Sequence, residues 1–219
     1  MTRAEVCRRV EEIALVPIIR ASSADLAIRA AEAILAGGIS VLEITMTVPG
    51  ATTVIRSLCD KLGDRVLVGA GTVMDAETVR ACVESGAAFI VSPGFDLSTV
   101  QAAHGCGVPV MPGALTPTEV ITAWKAGADM VKIFPASAVG GPKYLRALRG
   151  PLPNVKFMAT GGVNASTAAD YIAAGASALG VGSELVDTAA LAAGQDGAIT
   201  ERARELVAVV RAARAKLGS

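Results

Sequence analysis

Lys132 stands in the middle of an apolar run, "DMVKIFPAS", directly ahead of Ile-Phe-Pro. Lysine is almost never fully buried unless it is paired or put to use. Burial and a neighbouring cation both make a lysine amine easier to deprotonate. The free amine adds to carbonyl carbon, and the imine it forms is an electron sink that needs no metal. A second run, "VLEIT", carries Glu43, a carboxyl suited to moving protons. Arg20, Thr45 and Thr72 close three apolar runs, "LVPIIR", "VLEIT" and "RVLVGAGT". A buried structural ion pair between Lys132 and Glu43 is the alternative reading of the same two residues.

Two glycine turns extend the pattern. "ATGGVN" presents Gly161 and Gly162 after Thr160, and "GVGSE" presents Gly182 and Ser183. Bare backbone N–H groups at such turns, backed by a helix N-terminus, suit an anion such as phosphate. "GVGSE" is expected to open a helix and so to supply that N-terminus.

The elements that position these groups follow from periodicity. Short apolar runs recur at 15–20, 39–45, 65–72, 87–93, 108–113, 129–134, 154–160 and 177–183. Their starts are spaced by roughly 20 to 27 residues, the length of a strand plus a crossover helix. "AGGIS", "SGAAF", "AGADM" and "AGASA" introduce the second, fourth, sixth and eighth runs. Each holds a glycine where a helix ends in a left-handed turn. Eight repeated units predict one (β/α)₈ barrel over 1–219, preceded by an extra N-terminal helix and closed by a long amphipathic one. The dinucleotide glycine fingerprint is missing after the first run, which reads "RASSAD". In a barrel, side chains alternate between axis and helices, and chemistry gathers at the C-terminal strand ends. Met130, Lys132 and Phe134 then face inward, as do Val41, Glu43 and Thr45. Lys156 starts its run, at the opposite end, and is expected to be structural.

Composition narrows the function. The 20 basic and 20 acidic residues balance without a basic cluster, so neither nucleic acid nor a membrane surface is indicated as partner. The single histidine, His104, rules out a His-rich metal site and is expected to face solvent or cap a helix. Cys7, Cys59, Cys82 and Cys106 lack metal or redox spacing and read as buried thiols. With no signal core and no apolar run of membrane-spanning length, the expected compartment is the cytoplasm. Neither a metal nor a cofactor is expected.

Along nearly the whole chain the sequence resembles the 2-keto-3-deoxy-6-phosphogluconate (KDPG) / 4-hydroxy-2-oxoglutarate (KHG) aldolases. The resemblance is carried in order by "VPIIRA", "GGISVLEITMTVPGA", "VGAGTV", "FIVSPG", "MPGALTPTE", "VKIFPAS", "GPKYLRALRGPLPNVKF", "TGGVN" and "GVGSELV". It implies a class I, imine-forming aldolase on a (β/α)₈ barrel, assembled as a homotrimer. Lys132 would form the imine and Glu43 would serve as acid and base. Thr72 would hold the pyruvate part, with Arg20, Thr45, Pro93, Phe134 and Thr160 also at the substrate. Gly161, Gly162, Gly182 and Ser183 would take the phosphate. The implied reaction cleaves KDPG to pyruvate and glyceraldehyde 3-phosphate, and also KHG to pyruvate and glyoxylate. The galactonate-derived epimer is an alternative substrate; a proton-transferring isomerase or epimerase and a silent ligand-binding trimer are alternative functions. Two positions depart from the family pattern. Thr47 replaces an arginine that grips the substrate carboxylate in some members, and Ala159 replaces a proline before Thr160.

Overall fold

The computed structural model describes residues 1–217. Helix α1 (Arg3–Ile13) comes first, its N-terminus closed by a reciprocal capping box between Thr2 and Glu5. Strands and helices then alternate: β1 (Leu15–Ile19), α2 (Ala24–Ala36), β2 (Val41–Thr45), α3 (Ala51–Leu62), β3 (Leu67–Gly71) and α4 (Ala76–Glu84). Next come β4 (Ile90–Val91), α5 (Leu97–Gly105), β5 (Val110–Met111), β6 (Gly113–Ala114), α6 (Pro117–Lys125), β7 (Val131–Ile133) and α7 (Pro142–Arg149). The remainder is β8 (Phe157–Thr160), α8 (Ala168–Ala173), β9 (Ala178–Val181), α9 (Thr188–Ala192) and α10 (Asp196–Ala215).

All pairings are parallel, in the order β5-β4-β3-β2-β1-β9-β8-β7-β6. The two ends of that order, β5 and β6, are consecutive in the chain and separated only by Pro112. They are halves of one stave, so the sheet closes into an eight-membered barrel. The fifth run was expected as one strand. Proline has no N–H to donate to a ladder and so divides it. β5 pairs with β4 below the break, while β6 pairs with β7 above it.

Helix ends obey the glycine repeat. Gly38, Gly86, Gly127 and Gly175 take φ of 95°, 104°, 94° and 94°, a left-handed geometry that glycine adopts without steric cost. Side-chain alternation divides the apolar interior in two. Leu42, Ile44, Val131 and Ile133 join the layer between strands and helices. Val41, Met130, Met158, Phe89 and Met111 fill the barrel's inside, and Val6 and Val10 of α1 pack against them. Helix α1 is therefore a plug for the N-terminal end. Each such fully buried side chain contributes about 1.5–3 kcal/mol.

The N-terminal face is also tied by charge. The Asp129 carboxylate accepts from Arg3 (2.8 Å), the Val110 N–H (2.9 Å) and His104 Nε2 (3.2 Å). His104, expected to face solvent or cap a helix, is thus half-buried in the last turn of α5 and hydrogen-bonded to Asp129. Lys156 pairs with Glu11 of α1 at 2.5 Å, the structural role its position predicts. The cysteines are all free. Cys7 and Cys82 are buried as expected, but Cys59 is half-buried and Cys106 exposed, because Cys106 follows the last turn of α5 at the protein surface. Among the described residues no helix is long and apolar enough to cross a membrane.

Candidate active site

Lys132 is central in β7, and its inward direction follows from strand alternation with Val131 and Ile133 facing the helices. It is the one buried lysine among the described residues, with 3% exposure. Its ammonium position lies 5.3 Å from the centre of the Phe134 ring. Glu43, the middle residue of β2, has no exposed surface. Burial raises its carboxyl above the ordinary value, and the positive charges of Lys132 and then Arg20 pull it back down. Neither carboxylate oxygen of Glu43 has a hydrogen-bond partner. The same is true of the Thr160 hydroxyl at the end of β8. At the other end of the barrel the Arg3 Nε is also buried without a partner, but that guanidinium is held through its ion pair with Asp129. Buried polar groups are almost always satisfied, so a carboxyl and a hydroxyl with no partner at all mark a place reserved for a ligand or for proton transfer.

Above these residues opens a cavity of about 400 Å³. Arg20, Phe134, Thr160, Gly161, Gly162, Gly182 and Ser183 all lie on its wall, together with Ile18. Ile18 is the register partner of Glu43. Lys132 and Glu43 are not on that wall; they lie deeper in the barrel. Thr45 is also buried, donating to the Ile19 carbonyl (3.1 Å) and sharing a 2.7 Å hydrogen bond with the Thr47 hydroxyl. Thr47, one of the two departures from the family pattern noted in the sequence, therefore fixes Thr45. Two expected contacts stand apart from the main cavity. Thr72 follows β3 at φ 59°, and Pro93 lines a second cavity that meets the first only at Phe134.

The expected helix N-terminus is not at "GVGSE". The Gly182 carbonyl accepts from the N–H groups of Leu185 and Val186, which makes a single turn. Helix α9 starts later, and the Asp187 carboxylate occupies its free N–H groups at Ala189 and Ala190 (3.0 Å each). Those bonds, with help from Arg202, hold the Asp187 carboxyl below the usual range. Asp187, Glu184 and Thr188 also line the main cavity, and residue-type reasoning missed them. The Asp-Thr pair at a helix start was a legible cap signal for Asp187. Glu184 offered none. Among the described residues, no group of three or more His, Cys, Asp and Glu side chains is placed to hold a metal ion.

Comparison with known proteins agrees with this geometry. Residues 6–202 match the model of the KDPG and KHG aldolase family. The KHG/KDPG aldolase of Escherichia coli K12 is 37% identical over 193 residues, 88% of this chain and 90% of that protein. The 2-dehydro-3-deoxy-6-phosphogalactonate aldolase of the same strain is 38% identical over 175 residues, covering 80% and 85%. The KDPG aldolase of Legionella pneumophila, solved with pyruvate captured at low pH as a covalent carbinolamine, superposes with a TM-score of 0.85. It is 32% identical, covering 92% of this chain and 97% of that one. This chain belongs to the KDPG and KHG aldolase family: it is a carbon–carbon lyase on a (β/α)₈ barrel.

Proposed function

We propose that this protein cleaves KDPG to pyruvate and glyceraldehyde 3-phosphate through an imine on Lys132, and also accepts KHG. One observation carries the reading: the single buried lysine shares the barrel interior with an unpartnered buried carboxyl. The Lys132 amine adds to C2 of the keto acid, and the carbinolamine loses water to give the imine. The C3–C4 bond then breaks, its electrons pass into the imine, and the C4 hydroxyl gives up its proton. Glu43 serves as acid for dehydration and base for that hydroxyl. A carboxyl raised by burial holds its proton closer to neutral pH, which suits both steps. Protonation at C3 and hydrolysis of the imine release pyruvate.

Arg20 is the cation on the cavity wall and is assigned to the substrate carboxylate, in place of the arginine that Thr47 replaces. Thr45, Thr72, Pro93, Phe134 and Thr160 are assigned to positioning of the keto acid. Gly161, Gly162, Gly182 and Ser183 are assigned to the phosphate through backbone N–H groups, since the N-terminus of α9, the helix after "GVGSE", is occupied by Asp187. We read residues 1–219 as one barrel domain acting in the cytoplasm without metal or cofactor, as a homotrimer. Met74 and Leu97, large apolar side chains exposed in the segments following β3 and β4, fit burial against a second copy.

Borohydride reduction in the presence of pyruvate tests the covalent step. One pyruvyl addition at Lys132, with loss of activity, is expected. Labelling elsewhere, or no labelling, would return the chain to the isomerase reading.

A further inference from the structure

Among the described residues, buried side-chain oxygens without a hydrogen-bond partner occur only on Glu43 and Thr160. No protein hydrogen bond therefore fixes the direction of either group, and shape must do so. Both are seated against a glycine of the neighbouring strand. A Cβ placed on Gly71 would fall 1.9 Å from Glu43 Oε1, 2.5 Å from its Cδ and 2.6 Å from its Cγ. A Cβ on Gly180, the register partner of Thr160, would fall 2.3 Å from the Thr160 hydroxyl. Real Cβ atoms essentially never come within 3.0 Å of another heavy atom of this kind.

Neither glycine is explained by its backbone. Gly71 and Gly180 are absent from the positive-φ residues, so an L side chain is sterically acceptable to their own main chain. Gly38, a turn glycine, shows the opposite pattern, with φ 95° and open space where a Cβ would go. A glycine inside a strand weakens it unless something approaches closely. In β3 the approaching group is the Glu43 carboxylate, one strand over, where Thr45 is the register partner of Gly71.

We propose that Gly71 is a positioning residue for proton transfer: the space of its missing side chain is the seat that holds the Glu43 carboxylate inside the barrel. Gly180 seats the Thr160 hydroxyl in the same way. The proposal rests on the reading of Glu43 as proton carrier. A methyl group at position 71 evicts the carboxylate toward the mouth, where water rehydrates it and its proton is lost at lower pH.

Gly71→Ala is made in the wild-type and in the Glu43→Ala background, and four melting temperatures are measured as a double-mutant cycle. In the wild type Gly71→Ala lowers Tm by about 3 °C or more. In the Glu43→Ala background that loss disappears, because nothing is left to collide with. Trapping of the pyruvate imine by borohydride slows by about 100-fold in Gly71→Ala. The limb of its pH–rate profile that belongs to the carboxyl moves to lower pH. An equal Tm loss in both backgrounds, or a wild-type trapping rate and pH profile, overturns the proposal. If Gly71→Ala alone does not fold, a folded double variant supports the seat and an unfolded one overturns it. Full aldolase activity in Glu43→Ala defeats the proton-carrier reading instead, and the Tm cycle still decides the seat.

Discussion

Lys132 and Lys156 belong to neighbouring staves of the barrel, one in β7 and one just before β8, and their surroundings are opposite. Lys156 is at the N-terminal face, 45% exposed and paired with Glu11. Its neighbour Asp129 has its charge met by an arginine, a histidine and a backbone N–H. At the C-terminal face Lys132 is sealed among apolar groups, and the acid that shares its space has neither oxygen satisfied. One end of the barrel satisfies its charges with one another and gains stability from the plug helix. The other leaves a carboxyl and a hydroxyl buried and unmet, a destabilising arrangement that persists where function requires it.

The largest expected effect separates the two lysines. Lys132→Ala removes the nucleophile, and aldol cleavage should fall by about 10⁴-fold or more. Lys156→Ala should leave cleavage within about twofold and lower stability by about 1 kcal/mol or less, the usual value of a partly exposed ion pair. Steady-state kinetics and urea melts of both variants check this. A Lys156→Ala enzyme that lost catalysis, or a Lys132→Ala enzyme that kept it, would reverse the assignment of the two ends.

A smaller effect sharpens the contrast between satisfied and unsatisfied acids. Glu43→Gln keeps the shape of the side chain and removes its ability to exchange protons, so cleavage should fall by about 10²–10³-fold. Stability should move the other way. The Glu43 carboxyl lies above its ordinary value of 4.5 in the folded protein because burial disfavours its charge. Between those two values the folded state holds more protons than the unfolded state, so stability falls as pH rises through this window. Below 4.5 the carboxyl is protonated in both states and the wild type should match Glu43→Gln. Above the window the variant should melt higher, by about 3 °C or more. Melting curves across pH test the sign: a variant less stable than wild type at neutral pH would mean that the ionised carboxylate is well accommodated.

Much of this contrast is legible in the residues. Alternation along "VLEIT" and "DMVKIF" places Glu43 and Lys132 inside, and the position of Lys156 at the start of its run assigns it to the stable face. The repeated glycine before alternate strands gives the eight units. Three features are not legible, each because it depends on contacts between distant segments. The run 108–113 reads as one strand across Pro112 until β4 and β7 are seen pairing on either side of it. The "GVGSE" segment reads as a helix start until Asp187 is found occupying the helix N–H groups. Gly71 reads as one more residue of the third run until strand register brings the Glu43 carboxylate against it. Residue type carries the chemistry, whereas strand register carries the steric fit.

The smallest effect concerns the outer wall of the mouth, where the glycine turns are assigned to phosphate. Gly162 and Gly182 are not equally good places to test this. Gly162 has φ 69°, and a Cβ there would fall 2.5 Å from the Ser137 Cβ, so a substitution strains the backbone as well as filling the pocket. Gly182 has no positive φ and nothing within 4 Å of its Cβ position, so a side chain there projects into the cavity without disturbing the fold. Gly182→Val should therefore fold like wild type by circular dichroism and form the pyruvate imine at an unchanged rate, because that chemistry occurs deeper in the barrel. It should lower kcat/KM for KDPG by about 10-fold or more while sparing KHG, which has no phosphate to place. Part of the loss should appear in kcat, because energy from a remote anchoring group helps orient the reacting carbons. The measurement is the ratio of the two specificity constants. If a well-folded Gly182→Val enzyme keeps the wild-type ratio, these turns do not bind the phosphate. Glu184 and Asp187, the carboxylates on the same wall, would then point to a natural substrate with an uncharged tail.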